Sequence, residues 1–171
     1  MEPFDLKTTL DSFYVIADTR EQDTPRARRR YASMGCDIQR RCLSYGDYAG
    51  AVTLPDGSEL IGDARVERKM NLDELAQCFT SGRERFTREF ERATADGARI
   101  YLLVENATWE HLYAGQYRSR FSVPAFVAST LAFMVRYNAG LIFCKEETSG
   151  RLIREILFRG IKEKLEHAHD D

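Results

Sequence analysis

Hydrophobic positions fall into short blocks along the chain, and their spacing assigns most of the secondary structure. Residues 13–17, Phe13-Tyr14-Val15-Ile16-Ala17, form an unbroken apolar run rich in β-formers, which predicts a buried strand. Pro25 opens and Gly35 closes a predicted helix over 25–34. Residues 36–43 alternate as a second strand. Segments 48–54 and 59–69 flank Pro55-Asp56-Gly57-Ser58, turn chemistry that predicts a β-hairpin. Asn71 and Glu74 have capping-box spacing and start a short helix. Ser81 and Glu84 repeat the signal for a longer helix that runs to Ala95, ends at Gly97 and carries Phe86 and Phe90 on one face. Residues 99–104 read as a strongly apolar strand. Ser122 and Pro124 begin a helix over 122–137, ended by Gly140. Residues 141–145 form another strand, and Thr148 or Ser149 caps a last helix carrying Leu152, Ile153, Ile156, Leu157 and Ile161.

The resulting order, β-α-β-β-β-α-α-β-α-β-α, predicts an α/β fold with a mixed β-sheet flanked by helices on both faces. The 171 residues imply a single domain, 1–171, with a core over about 13–165 and a flexible acidic tail at 166–171. At 43% apolar, the chain can build a core without disulfides. No run approaches the roughly 20 apolar residues of a membrane span, and Met1-Glu2-Pro3-Phe4-Asp5 is unlike a signal peptide, so a cytoplasmic protein without membrane partners is expected. Cys36, Cys42, Cys78 and Cys144 make no C-x-x-C pair and have no zinc spacing with His111, His167 or His169. They read as buried apolar thiols in a reducing compartment.

Net charge, −2, argues against nucleic-acid binding through bulk charge. Its distribution changes the picture. Between Arg20 and Arg41 seven arginines face three acids, and Arg26, Arg28, Arg29 and Arg30 crowd into one predicted helix. That helix can present a solvated face or make phosphate contacts. The segment 109–121 mixes Trp109, His111, Tyr113 and Tyr117 with Arg118 and Arg120, a composition able to stack bases or to pack as a loop over the core.

The acids sit at strand ends. Asp18 and Glu21 follow the first strand, Asp47 precedes the hairpin, Glu67 ends it, and Asp73 opens the next helix. The period of two along a strand puts Glu67 and Lys69 on one face and Arg68 on the other. A carboxylate and an ammonium side by side, with Asp47 near the hairpin's start, suit hydrolysis assisted by Mg²⁺, which prefers carboxylate oxygens, waters and substrate phosphate. Taken alone, E-x-K also occurs as an ordinary ion pair on an amphipathic strand.

Three motifs in register carry a resemblance. Val15-Ile16-Ala17-Asp18-Thr19-Arg20-Glu21, then Leu43-Ser44-Tyr45-Gly46-Asp47-Tyr48, then Val66-Glu67-Arg68-Lys69-Met70-Asn71-Leu72-Asp73 resemble the V-x-D-x-R-E strand end, G-D-Y turn and E-R-K-x-x-x-D junction of the nuclease domain of XPF-type structure-specific endonucleases, a branch of the PD-(D/E)xK nucleases. The resemblance implies a restriction-endonuclease-like sheet and a DNA endonuclease using Mg²⁺ or Mn²⁺. It implies that Asp47 and Glu67 are the main metal ligands, with Asp18 and Glu21 as further ligands or orienters. Lys69 would be the catalytic lysine, and Arg68 would point away from the metal or toward a neighbouring acid. Asp73 would support the site, and Arg20 would match the arginine of the first motif. Asp56, Glu59 and Asp63 of the hairpin read as plain turn and surface acids, with Asp63, on the period-2 face of Glu67 and Lys69, the candidate for an extra participant.

The family usually carries a helix-hairpin-helix module, which this sequence is expected to lack. Substrates implied by the resemblance are flaps, forks and branched DNA cut near duplex–single-strand junctions, as in repair or recombination, at the nucleoid in a bacterial or phage setting. A homodimer or heterodimer through helices 122–137 and 149–165 is also implied. Two other readings stay open: a catalytically inactive DNA-binding or dimerisation partner, and a junction resolvase or restriction-type nuclease on the same fold.

Overall fold

The computed structural model describes residues 3–167, with side chains from residue 5 onward; the expected acidic tail beyond 167, and His169 with it, lie outside the described residues. The chain divides into two compact units, one built from residues up to Val66 together with those from Gly150 on, the other from Glu67–Ser149.

The first unit contains helix α1 (Pro3–Asp11), strand β1 (Tyr14–Ala17), helix α2 (Pro25–Met34) and strands β2 (Asp37–Arg40) and β3 (Tyr48–Thr53). It also holds most of strand β4 (Glu59–Lys69) and of helix α7 (Glu146–Glu166). β1 pairs in parallel with β2 and antiparallel with β3, and β3 pairs antiparallel with β4. The apolar run of β1 is buried, as its composition demands. Thr24 caps α2 by accepting from the Ala27 amide, and Gly35 ends it in the left-handed conformation, φ 63°.

Ile153, Leu157 and Ile161 recur along one stripe of α7 and are buried in this unit. Gly50 and Gly62 let that stripe approach the hairpin: a Cβ on Gly62 would lie 2.7 Å from Ile161 Cγ1. β4 bulges between its two ladders, since Ala49 pairs with Arg65 but Ala51 pairs with Ile61. Asp63 sits in that bulge and pairs with Lys164 at 2.8 Å, which engages the acid expected as an extra participant.

The second unit holds the end of β4, helices α3 (Leu72–Phe79) and α4 (Arg83–Ala95), strand β5 (Arg99–Glu105), helices α5 (Trp109–Tyr113) and α6 (Val123–Tyr137), and strand β6 (Gly140–Cys144). β5 and β6 run parallel, Tyr101 opposite Gly140 through Glu105 opposite Cys144. Phe86 and Phe90 share a face as their spacing predicts, and with Phe79, Phe126 and Phe133 they form an aromatic core; the Phe86 and Phe133 rings stack at 5.3 Å. β4 takes part in both units, and the mixed sheet has the strand order β2-β1-β3-β4-β5-β6.

The departures from expectation are local. α1 and α5 carry too few apolar residues for a periodic signal. Ser81 caps nothing, because α4 starts one residue later behind Gly82 with no side-chain cap. Asn138, at φ 48°, ends α6 in place of Gly140, which belongs to β6. The last helix starts at Glu146, and the Ser149 hydroxyl donates back to the Glu146 carbonyl instead of capping. Among the described residues no helix is long and apolar enough to cross a membrane.

Candidate functional site

In the first unit the site residues cluster where β1 ends. The Asp18 amide donates to the Asp47 carbonyl at 2.8 Å, and the Asp47 amide donates to the Val66 carbonyl at 2.8 Å. Asp47 is therefore fixed by its backbone to the last residue of the unit on β4, with its side chain half-buried. Gly46 supplies the turn at φ 72°, and a Cβ there would meet Arg65 Cβ at 3.0 Å.

Asp18 is fully buried. Its Oδ1 accepts from the Arg20 amide at 2.8 Å and from Arg20 Nε at 2.7 Å; its Oδ2 accepts from Arg20 Nη2 at 3.2 Å and the Leu43 amide at 2.6 Å. Both oxygens are thus engaged in holding the post-strand turn, and Arg20 is committed to that carboxylate. Burial pushes the Asp18 carboxyl up, but the Arg20 and Leu43 hydrogen bonds outweigh it and bring it below its ordinary value.

Glu21 turns to Arg30. Its Oε2 accepts from Arg30 Nη2 at 2.9 Å and from the Tyr48 hydroxyl at 3.0 Å, while Arg30 Nε donates to Tyr48 Oη at 2.9 Å. Arg30, grouped on sequence with phosphate-contacting arginines, points inward instead and is 5% exposed. Arg28 is exposed but paired with Asp23 at 2.7 Å, Arg26 is half-buried, and Arg29 is exposed. Burial and the nearby Glu21 charge raise the Tyr48 hydroxyl well above its ordinary range. Sequence reading missed Tyr48 as a member of this triad. A tyrosine on a buried strand face needs a partner for its hydroxyl, and that was the available signal.

In the second unit Glu67 and Lys69 are buried, at 5% and 9% exposure, and joined by a 2.6 Å bond from Lys69 Nζ to Glu67 Oε1. The Lys69 ammonium also lies 5.4 Å from the centre of the Phe86 ring. Both side chains line a cavity of about 280 Å³ with Glu74, Cys78, Phe86 and Glu89. Burial, partly offset by Lys69, pushes the Cys78 thiol up to about 11, so it stays a neutral lining group.

Arg68 faces the other way, as the strand period requires. Its Nε and Nη2 donate to the two carboxylate oxygens of Glu105, at 3.0 and 3.2 Å, and Glu105 is completely buried at the end of β5. Glu105 was the missed partner: a strand arginine on the inner face requires an acid there. Asp73 accepts two backbone N–H bonds from residues 118 and 119. Arg118 and Arg120 are exposed, and among the described residues neither guanidinium has an ion-pair partner. Among the described residues no three acids, histidines or cysteines are grouped as a ready metal cage.

A mixed α/β sheet with a buried Glu–Lys pair two residues apart at a strand end defines the class of fold and site. The ERCC4 domain family matches residues 17–156, most of the chain, and the chain belongs to that family. Among solved structures, an XPF from Aeropyrum pernix is similar at 23% identity and a TM-score of 0.59, over 84% of this chain and 59% of that one. A structure described as XPF from Aeropyrum pernix in complex with DNA is similar at 21% identity and a TM-score of 0.59, over 87% of this chain and 64% of that one. The fold is thus shared, and the chain spans about three fifths of the length of these relatives. No curated protein matches it.

Two outcomes follow from the buried pairs. Asp18→Asn removes an acceptor of charge-assisted bonds and lowers stability near neutral pH by about 1–3 kcal/mol. A carboxyl depressed on folding adds stability that is present above its unfolded pKa and lost as pH falls through the folded value. Urea unfolding should therefore show the gap between wild type and variant closing below about pH 4. Glu105→Ala leaves Arg68 buried without its carboxylate and costs about 3–5 kcal/mol. In a double-mutant cycle with Arg68→Ala, the two losses add to well more than the double variant loses.

Proposed function

We propose that the chain is a divalent-metal-dependent DNA endonuclease that hydrolyses phosphodiester bonds near duplex–single-strand junctions, in flaps, forks and branches, in the service of repair or recombination. The observation that carries this reading is the Glu67–Lys69 pair of an ERCC4-domain chain, buried at the wall of a cavity. An ion pair kept out of water is costly, and apolar residues of the same volume would hold a strand end as well. A charged pair held at a cavity has a chemical use as its simplest rationale.

The chemistry of the donors fits Mg²⁺ or Mn²⁺. Mg²⁺ takes one or two carboxylates and fills its other positions with water and substrate phosphate, so it needs no cage of three acids. Asp47 and Glu67 are the proposed ligands. In this reading Asp18 and Glu21, whose oxygens hold Arg20 and Arg30, orient the turn that carries Asp47 and join the ion only on releasing those donors. When bound, the ion supplies Lewis acidity toward the phosphate and lowers the pKa of a water. The protein's part is carried by Lys69, whose ammonium stabilises negative charge growing on the phosphate and orients the attacking water. Glu67 keeps that ammonium aimed, and Arg68, clamped by Glu105, fixes which face of β4 the pair occupies. Exposed Arg29, Arg118 and Arg120 are the proposed phosphate contacts.

End-labelled 3′-flap, fork and matched linear duplex, each with Mg²⁺ and with Mn²⁺, test the reading. Wild type should incise near the junction, and Lys69→Ala and Glu67→Gln should each lose about 10²-fold or more in rate while binding DNA as before. Undiminished cutting by Lys69→Ala overturns the assignment. Cleavage of plain duplex at one sequence favours the restriction-type alternative, and binding without cleavage by wild type favours an inactive partner.

The proposed assembly is a homodimer through α6. α7 spends its apolar stripe inside its own unit, whereas α6 leaves Pro124, Ala128, Leu131, Ala132 and Val135 exposed, with Val135 85% accessible. Val135→Asp touches nothing in the core and should shift the mass in sedimentation from twice 19.7 kDa to 19.7 kDa. A wild-type monomer at micromolar concentration rules the dimer out.

A further inference from the structure

Asp73 closes the E-R-K-x-x-x-D junction, and the start of its helix does not need it. The Asn71 side chain already caps α3 by accepting from the Glu74 amide at 2.9 Å, and Glu74 reaches back to the Met70 amide. Asp73 instead turns to a distant loop. One oxygen, Oδ1, accepts from the Arg118 and Ser119 amides, both at 2.8 Å, across 45 and 46 residues of sequence.

The loop tied in this way has a regular face. From Gln116 to Ser122 exposure alternates, with Tyr117, Ser119 and Phe121 turned inward and Arg118 and Arg120 outward. The inward side is fixed on its own account. The Tyr117 and Phe121 rings pack 5.2 and 5.4 Å from Phe126, and the Tyr117 hydroxyl donates to the Phe121 carbonyl at 2.8 Å. Arg20, Arg28, Arg30 and Arg68 each hold a carboxylate, whereas Arg118 and Arg120 are exposed and have no ion-pair partner among the described residues. Two exposed, uncommitted guanidiniums two residues apart on a fixed backbone suit the phosphates of a single nucleic-acid strand.

We infer that Asp73 is a positioning residue that holds the arginine loop so that Arg118 and Arg120 grip the phosphate backbone of one DNA strand, an inference that rests on the nuclease reading above. Asp73 lies four residues after Lys69, so the tether registers that grip to the strand end carrying the lysine. What the loop requires of residue 73 is an acceptor oxygen. A negative charge is not required.

That distinction is testable. Asp73→Asn keeps the oxygen and loses the charge; Asp73→Ala loses both. With the flap substrate, Asp73→Ala should raise KM, and the Kd measured in Ca²⁺, about tenfold while kcat stays within about threefold, and Asp73→Asn should stay near wild type in all three. Arg118→Ala with Arg120→Ala should match the Asp73→Ala affinity loss and reduce the salt dependence of binding by about two phosphate contacts. Circular dichroism melting confirms that each variant folds. Tryptic cleavage after Arg118 and Arg120, followed by mass spectrometry without DNA, should be fast in Asp73→Ala and slow in wild type and Asp73→Asn. Equal tryptic rates in all three overturn the tether. A kcat loss in Asp73→Asn at unchanged KM overturns the inference in favour of an electrostatic role at the metal. If Asp73→Ala opens to trypsin but wild type neither binds nor cuts any of the DNAs, the DNA role is overturned, and the fault lies with the nuclease reading.

Discussion

A carboxylate taken out of water must find a cation or a set of N–H donors, and this chain buries Asp18, Glu67 and Glu105 almost completely. Each has its donors. Asp18 takes Arg20 and the Leu43 amide, Glu67 takes Lys69, and Glu105 takes both arms of Arg68. None of these pairings is interchangeable. Arg20 reaches a carboxylate two residues back only because the chain turns just after β1. Arg68 and Lys69 reach different acids only because neighbouring residues on a strand face opposite ways. Charge pairing therefore fixes the local backbone at each motif, and the backbone in turn decides which side chains remain for chemistry.

The pairs do not have equal standing. Arg68–Glu105 is bidentate and clamps the strand. The Glu67–Lys69 pair, joined at 2.6 Å, lines the wall of a cavity. A lysine's compact ammonium on a flexible stem can re-aim its donors with little reorganisation. An arginine fork holding both oxygens of a carboxylate cannot. The order E-R-K thus places a rigid fastener between the acid and the lysine of the buried pair.

Much of this was legible in the sequence. β1, the hairpin, β5, β6 and the long helices announce themselves by apolar spacing and turn residues, and the alternation of Glu67, Arg68 and Lys69 follows from the strand period alone. α1 and α5 were not legible, because their stability comes from packing and they carry little periodic signal. Tyr48 and Glu105 escaped notice for a different reason. Each is a polar group on a buried strand face whose partner lies far off in sequence, at Arg30 and Arg68, and only the strand pairing brings those positions together. The bulge that takes Asp63 to Lys164 is invisible to a strict period of two, since it inserts residues without changing the pattern around it.

Charge counting misleads here in an instructive way. A net charge of −2 suggests a poor match for DNA, and the arginine-rich run of α2 suggests a good one. Neither sum matters once partners are assigned. Arg20 and Arg30 serve the turn after β1, and Arg28 is neutralised by Asp23 on the surface. Of the arginines on α2 and on the loop 116–122, those left exposed without an ion pair among the described residues are Arg29, Arg118 and Arg120. The last two stand outward because three inward residues and one carboxylate oxygen hold the backbone beneath them. In a protein with nearly balanced charge, which cations stand exposed is decided by the pairing the fold imposes, and by hydrogen bonds to backbone amides as much as by the arginines themselves.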